Sequence, residues 1–224
     1  MSGKLIVLEG IDGSGKSTQY NMICNKLEND GIPFYHIDFP RYDKESSSLI
    51  RLYLNGEFGS HPDDVNAYTA SVFFSVDRFA SYKDDWGKLY ESGSLIFSDR
   101  YTTSNAVHQG CKLSADELEN YFSWLSDLEY TKMGLPVPDL VLYLDVSLEI
   151  AKNRRQRREE KGKSVADIHE KDNEYLNKCL TTADKACDFF KWTRIPYLDK
   201  YGNERSVEEK NEEIYSIITK WIKG

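Results

Sequence analysis

The sequence predicts an α/β protein, a five-stranded parallel sheet with helices on both faces. Three observations carry this. Five short runs rich in Val, Ile, Leu and Tyr alternate with longer segments of helical periodicity. No internal repeat, low-complexity tract or Pro/Ser-rich linker divides the 224 residues, a length that suits one domain. The first apolar run passes through a glycine-rich turn directly into a helix, as a βαβ unit begins.

Taken in order, Lys4–Glu9 is an apolar run of strand length, suited to burial on both faces. The helix after the turn covers Lys16–Asn29, and Pro33–Asp38 is the second strand, its proline confined to the first residue. Helical stretches follow over Glu45–Leu54 and Val65–Ser92, then the third strand, Ser94–Asp99, and a helix over Ser114–Met133. Asp139–Val146 is the fourth strand and Thr193–Leu198 the fifth, separated by helices over Leu148–Glu160 and Lys171–Lys191. Ser206–Ile222 closes the chain as an amphipathic helix. Ligands of such sheets gather at the carboxyl ends of the strands, so the informative residues should follow strands.

Lys and Arg number 29 against 37 Asp and Glu, a net charge of −8. A negative envelope argues against a protein that coats nucleic acid, while leaving room for an anion in a local basic pocket. The longest apolar runs fall far short of the roughly 20 residues that span a bilayer, and the N-terminus lacks a signal-peptide pattern. Cys24, Cys111, Cys179 and Cys187 have no Cys-x-x-Cys spacing and read as small buried thiols of a reducing compartment. The expectation is a cytoplasmic protein with no nucleic-acid or membrane partner and no His/Cys metal cluster.

The strongest signal is Gly10-Ile-Asp-Gly-Ser-Gly-Lys-Ser17, a full phosphate-loop pattern between strand and helix. Its glycines let backbone N–H groups curl around phosphate oxygens at a helix N-terminus. Lys16 should reach the outer phosphates and the Ser17 hydroxyl should hold Mg²⁺. Alone, the loop does not separate kinase, GTPase, ATPase motor or scaffold. No Asn-Lys-x-Asp run reads a guanine base, and the apolar run ending at Asp99 continues into Arg100-Tyr101. An Asp–Arg pair at a strand tip offers an acid for the metal sphere beside a guanidinium for phosphate, a local ion pair capping the strand being the plainer alternative.

The ordered set Leu8–Thr18, Phe39-Pro-Arg-Tyr42, Phe74-Ser-Val-Asp-Arg78, Asp99-Arg-Tyr101 with Ser104 and Asn105, and Pro138–Asp145 resembles the thymidylate kinases, a family of P-loop nucleoside monophosphate kinases. The resemblance runs along nearly the whole chain. It implies a single P-loop kinase domain over residues 1–224, with a mobile lid at about 153–167. The implied reaction moves the γ-phosphoryl of ATP onto dTMP, giving dTDP, with Mg²⁺ and usually in a homodimer. Another pyrimidine monophosphate or a deoxynucleoside as acceptor is the alternative, with a non-catalytic nucleotide switch behind it.

The resemblance also implies roles. Gly10, Asp12, Gly13, Ser14, Gly15, Lys16, Ser17, Thr18 and Arg154 would bind ATP, Arg154 stacking on adenine. Asp12, Phe39, Arg41, Tyr42, Phe74, Arg78, Arg100, Ser104, Asn105 and His108 would bind dTMP. Phe74 would stack on the base, Arg78 would reach a carbonyl and Asn105 would pair with the polar edge; on spacing alone a core Phe beside a solvated Arg fits better, and only the surrounding motif set reverses that. Ser17 and Asp99 would serve the metal. Asp12, Lys16 and Arg100, with Arg155 and Arg158 of the Arg154–Arg158 cluster, would carry catalysis. Some relatives place an arginine where this chain has Gly13, so the transition-state guanidinium should come from the lid. His108 stands where relatives often set Tyr or Phe against the sugar. His169 and Glu170 fall near the acceptor sugar. In this reading the positive side chains converge on one cleft while the acidic excess covers helices elsewhere.

Overall fold

The computed structural model describes residues 2–160 and 173–223, without the side chains of 155, 157–160 and 173. The side chains of Arg155, Arg157 and Arg158, and residues 161–172 with His169 and Glu170, therefore lie outside the described residues.

The expected sheet is present: five parallel strands in the order β2-β3-β1-β4-β5. They are β1 (Lys4–Glu9), β2 (Tyr35–Asp38), β3 (Leu95–Asp99), β4 (Leu140–Leu144) and β5 (Thr193–Ile195). Central β1 needs two apolar faces and has them. Ile6 and Leu8 pack with Ile23, Leu27, Ile214 and Ile218 on one side of the sheet. Leu5 and Val7 pack with Trp86, Ile96 and Tyr101 on the other. This is the alternation of a strand read from an unbroken apolar run. The register pairs Leu8 with Asp99 and Glu9 with Tyr143, so the tips of β1, β3 and β4 open onto one edge.

The helices are α1 (Lys16–Asn29), α2 (Ser48–Leu54), α3 (Ala67–Ser81), α4 (Gly87–Glu91), α5 (Thr102–His108), α6 (Leu118–Ser126), α7 (Leu148–Glu160), α8 (Asn173–Phe190) and α9 (Val207–Lys223). Among the described residues, no helix is long and apolar enough to cross a membrane. Two expected helices are interrupted. The Val65–Ser92 stretch begins only at Ala67 and passes through a π-turn at Tyr82–Trp86. Gly87 permits that wide turn, because a Cβ there would run into the Tyr82 carbonyl oxygen. Likewise α6 widens into a π-turn over Asp127–Lys132. The fifth strand is shorter than Thr193–Leu198, continuing only as an isolated bridge from Leu198 to Glu204.

Helix α5 has no counterpart in the sequence reading. Its residues, Thr-Thr-Ser-Asn-Ala-Val-His, are weak helix formers, and six of the seven are buried, so no polar face produces periodicity. It nonetheless carries Ser104, Asn105 and His108, and it packs against α3, α6 and α8.

Candidate active site

The loop between β1 and α1 adopts the conformation its glycines suggest. Gly13 and Gly15 take φ of 86° and 91°, left-handed values that favour glycine. Any side chain at Gly13 would run into the Ala151 carbonyl on α7. Lys16 is 8% exposed and ion-paired with Asp99 at the tip of β3. Burial, and then the neighbouring Arg100 charge, push its pKa below the usual lysine value. Ser17 and Thr18 are exposed at the helix start.

A groove extends from the loop past Arg154 toward Tyr197 and Lys210. The Arg154 guanidinium donates to the Ser14 carbonyl (3.0 Å) and to Glu204 (3.1 Å) and lies 5.3 Å from the Tyr197 ring centroid. It therefore forms one wall of this groove, the position for which the family resemblance implies a stacking partner for adenine.

On the other side of the loop sits Arg100, held at a φ of 67°. Its backbone N–H donates to the Leu8 carbonyl (3.1 Å), and Ser98 Oγ donates to its carbonyl. That turn aims the guanidinium back across the sheet tip. Nη2 donates to Asp12 (2.5 Å), and Nη1 approaches Ser104 Oγ (3.3 Å), His108 Nε2 (3.1 Å) and Glu9 (3.5 Å). Burial opposes the charge on Arg100, but the carboxylates of Asp12, Glu9 and Asp99 outweigh it and raise its pKa. His108 responds in the opposite sense: burial, then Arg100, lower its imidazole to about 4. Because arginine can only donate, Nε2 accepts and the proton sits on Nδ1, which faces Cys179 Sγ at 3.7 Å.

Glu9, at the head of the phosphate-loop motif, has no role that the sequence signals. It is fully buried, accepting from the Gly10 N–H (2.9 Å), Thr103 Oγ1 (2.6 Å) and Ser104 Oγ (2.7 Å). One carboxylate thus ties the first glycine of the phosphate loop to the N-terminus of α5.

The Phe39-Pro-Arg-Tyr42 segment follows β2 as expected. Phe39 is buried, meeting Tyr101 at 6.0 Å between centroids, while Tyr42 is exposed. Arg41 is fixed by Asp77 of α3, which accepts from its backbone N–H (2.9 Å) and lies 3.5 Å from Nε. Phe74 is half-buried, its ring edge-on to Tyr53. Arg78, on the same helix, is neither solvated nor open. It is 1% exposed, with Nε and Nη2 on the two oxygens of Glu129 (2.6 and 2.5 Å) and Nη1 on the Tyr101 carbonyl (3.3 Å). Asn105 donates through Nδ2 to the Ser71 carbonyl (3.0 Å) and to Glu129 (3.2 Å).

The structure thus gathers Asp12, Lys16, Asp99, Arg100, Ser104 and His108 around one strand edge, and joins Arg78 to Asn105 through Glu129. It corrects the picture of an acidic excess confined to outer helices: Glu9, Asp77 and Glu129, at 0%, 1% and 0% exposure, lie beneath the cleft. No sequence signal marks Glu129, which sits in the unforeseen π-turn.

A phosphate loop on β1, with Lys16 facing Asp99 across to β3 and Arg100 beyond, defines a P-loop nucleotide-dependent phosphotransferase. The family model for thymidylate kinase matches residues 8–210. Similar proteins include thymidylate kinases of Mycobacterium tuberculosis, 30% identical over 76% of this chain and 79% of the relative, and of Plasmodium falciparum, 27% identical over 97% and 90%. A solved thymidylate kinase structure from Candida albicans shares the fold, with a TM-score of 0.70 and 24% identity over 98% of this chain and 92% of that one. The chain belongs to the thymidylate kinase family.

The donor set at Ser17 and Asp99, a hydroxyl and a carboxylate, is of the hard-oxygen type that suits Mg²⁺. Among the described residues no three His, Cys, Asp or Glu side chains cluster as a metal cage.

Proposed function

We propose that this chain transfers the γ-phosphoryl of ATP to the 5′-phosphate of dTMP, releasing ADP and dTDP. The observation that supports it best is the placement of Arg100, between the phosphate loop and the α5 side chains, facing Asp12. The acceptor is already an anion at neutral pH, so no strong general base is needed. Its phosphate oxygen attacks the γ-phosphorus as the bond to the β,γ-bridging oxygen breaks, and the electron pair leaves on ADP. Catalysis is then positioning and charge neutralisation. The loop N–H groups and Lys16 hold the donor phosphates, and Arg154 walls the donor base. Arg41 and Arg100 hold the acceptor phosphate, and Asp12 holds Arg100 in line. Phe39, Tyr42, Phe74 and Ser104 shape the acceptor site, with neutral His108 beside it. Ser17 and Asp99 would hold Mg²⁺, which would supply positive charge to offset that of the donor phosphates. Arg155 and Arg158 would close over the transferring group; the collision awaiting any side chain at Gly13 supports a source outside the loop.

The chain would work as a homodimer. Tyr68, Val72, Val76 and Phe79 form an exposed apolar stripe along α3, each 37–42% exposed. A cytoplasmic setting is supported by the free thiols, three of them buried.

The test is magnesium-dependent ADP release over a panel of dTMP, dUMP, dCMP and thymidine. Turnover with dTMP above all others is expected. No turnover with dTMP above background would sink the assignment.

A further inference from the structure

Glu129 is a fully buried carboxylate that touches no part of the phosphate machinery, yet it accepts from both residues assigned to the acceptor base. Oε1 accepts from Ser75 Oγ (2.7 Å), Arg78 Nη2 (2.5 Å) and Asn105 Nδ2 (3.2 Å). Oε2 accepts from Arg78 Nε (2.6 Å) and Thr102 Oγ1 (2.7 Å). The donors come from α3 and α5, and the acceptor from the π-turn after α6, so three elements meet on one anion. Such turns recur at functional sites.

The consequence is chemical polarity. The two N–H groups of the Asn105 amide are directed at two acceptors, the Ser71 carbonyl and the Glu129 carboxylate. A flipped amide would set its oxygen against both, so the orientation is fixed by repulsion as well as by attraction. What Asn105 can still offer a ligand is the lone pairs of Oδ1. Arg78, by contrast, offers only N–H. The pair is therefore an acceptor beside a donor. That matches the edge of thymine or uracil, which presents N3–H and O4, and opposes cytosine, which presents N3 and an amino group.

We propose that Glu129 is the positioning residue that sets this polarity, and through it the preference for a 4-oxo over a 4-amino pyrimidine. The inference rests on the assignment of dTMP as acceptor. Glu129→Gln puts an amide at the junction, whose N–H group faces either Arg78 or Asn105, and leaves the Ser71 carbonyl as the remaining restraint on the Asn105 amide. The dTMP/dCMP ratio of kcat/KM should then fall by at least about tenfold, the discrimination that an oriented donor–acceptor pair supplies. The KM for ATP should stay within about twofold. Thr102→Val removes another bond to the same carboxylate without touching Asn105, and should lower the melting temperature while leaving the ratio within about twofold.

An unchanged ratio in folded Glu129→Gln, or an equal fall in Thr102→Val, overturns the proposal. Should Glu129→Gln not fold, Glu129→Asp carries the test, since it keeps a negative charge against Arg78 while drawing the carboxylate back from Asn105 Nδ2. There too the ratio should fall by at least about tenfold, and an unchanged ratio refutes the role. Wild-type turnover separates the two levels. If the unaltered chain does not phosphorylate dTMP, the acceptor assignment fails and takes this inference with it; if it does and the variants keep their ratio, only Glu129 loses its role.

Discussion

Replacing His108 with glutamine removes a titration that the fold suppresses. The imidazole is buried against Arg100, which donates to Nε2 at 3.1 Å, and its pKa falls from 6.5 to about 4. Between those values the unfolded chain binds a proton that the folded chain refuses, so this group makes stability fall as the pH drops from 6.5 toward 4. Integrating between about pH 7 and about pH 5 gives a loss of about 2 kcal/mol. For a chain of this size that corresponds to roughly 4–8 °C in melting temperature. Carboxylates titrating in the same window act on both proteins and cancel in the comparison. Glutamine keeps an oxygen that can accept from Arg100, so the variant should fold. Urea unfolding of both proteins at the two pH values should show a wild-type loss larger by about 2 kcal/mol than that of His108→Gln. Equal losses would mean that the imidazole takes up its proton in the folded state, and the donor role assigned to Arg100 would be wrong.

Glu9→Gln keeps the shape but leaves the Thr103 and Ser104 hydroxyls on a neutral partner; thermal unfolding should show a loss of about 2 kcal/mol, with kcat lower as well. Gly13→Ala must hold a left-handed backbone, at about 1–2 kcal/mol, while pushing against Ala151 of the helix that carries Arg154. Steady-state kinetics should show a higher KM for ATP with the KM for dTMP little changed, and the reverse pattern would misplace α7. Asp77→Asn frees Arg41 from its anchor and should raise the KM for dTMP by about tenfold with ATP unaffected, the loss expected for one charge-assisted contact. Val76→Asp sets a charge in the α3 stripe, and sedimentation should report monomer where the unaltered chain reports dimer.

The parts legible in the sequence were those that leave a one-dimensional trace. Periodicity located the strands, because β1 must be apolar on both faces, and the loop announced itself through glycines whose left-handed φ values the structure bears out. Helix α5 left no such trace: a helix that is buried nearly all round has no amphipathic period, and Thr, Ser and Asn are ordinary loop formers. The π-turns were invisible for a related reason, since one extra residue in a turn changes which side chains face inward without changing composition. The partners Glu9, Asp77 and Glu129 were hidden because acidic residues in a chain of net charge −8 read as surface. Their burial changes what the charge count means. An arginine lined up for an anionic substrate is costly to bury alone, and here Arg41, Arg78 and Arg100 lie against Asp77, Glu129 and Glu9 with Asp12, respectively. The same carboxylates fix each guanidinium in advance, so ligand binding need not order them. A net charge that describes the envelope is, in part, the set of counter-ions that holds these guanidinium groups in place.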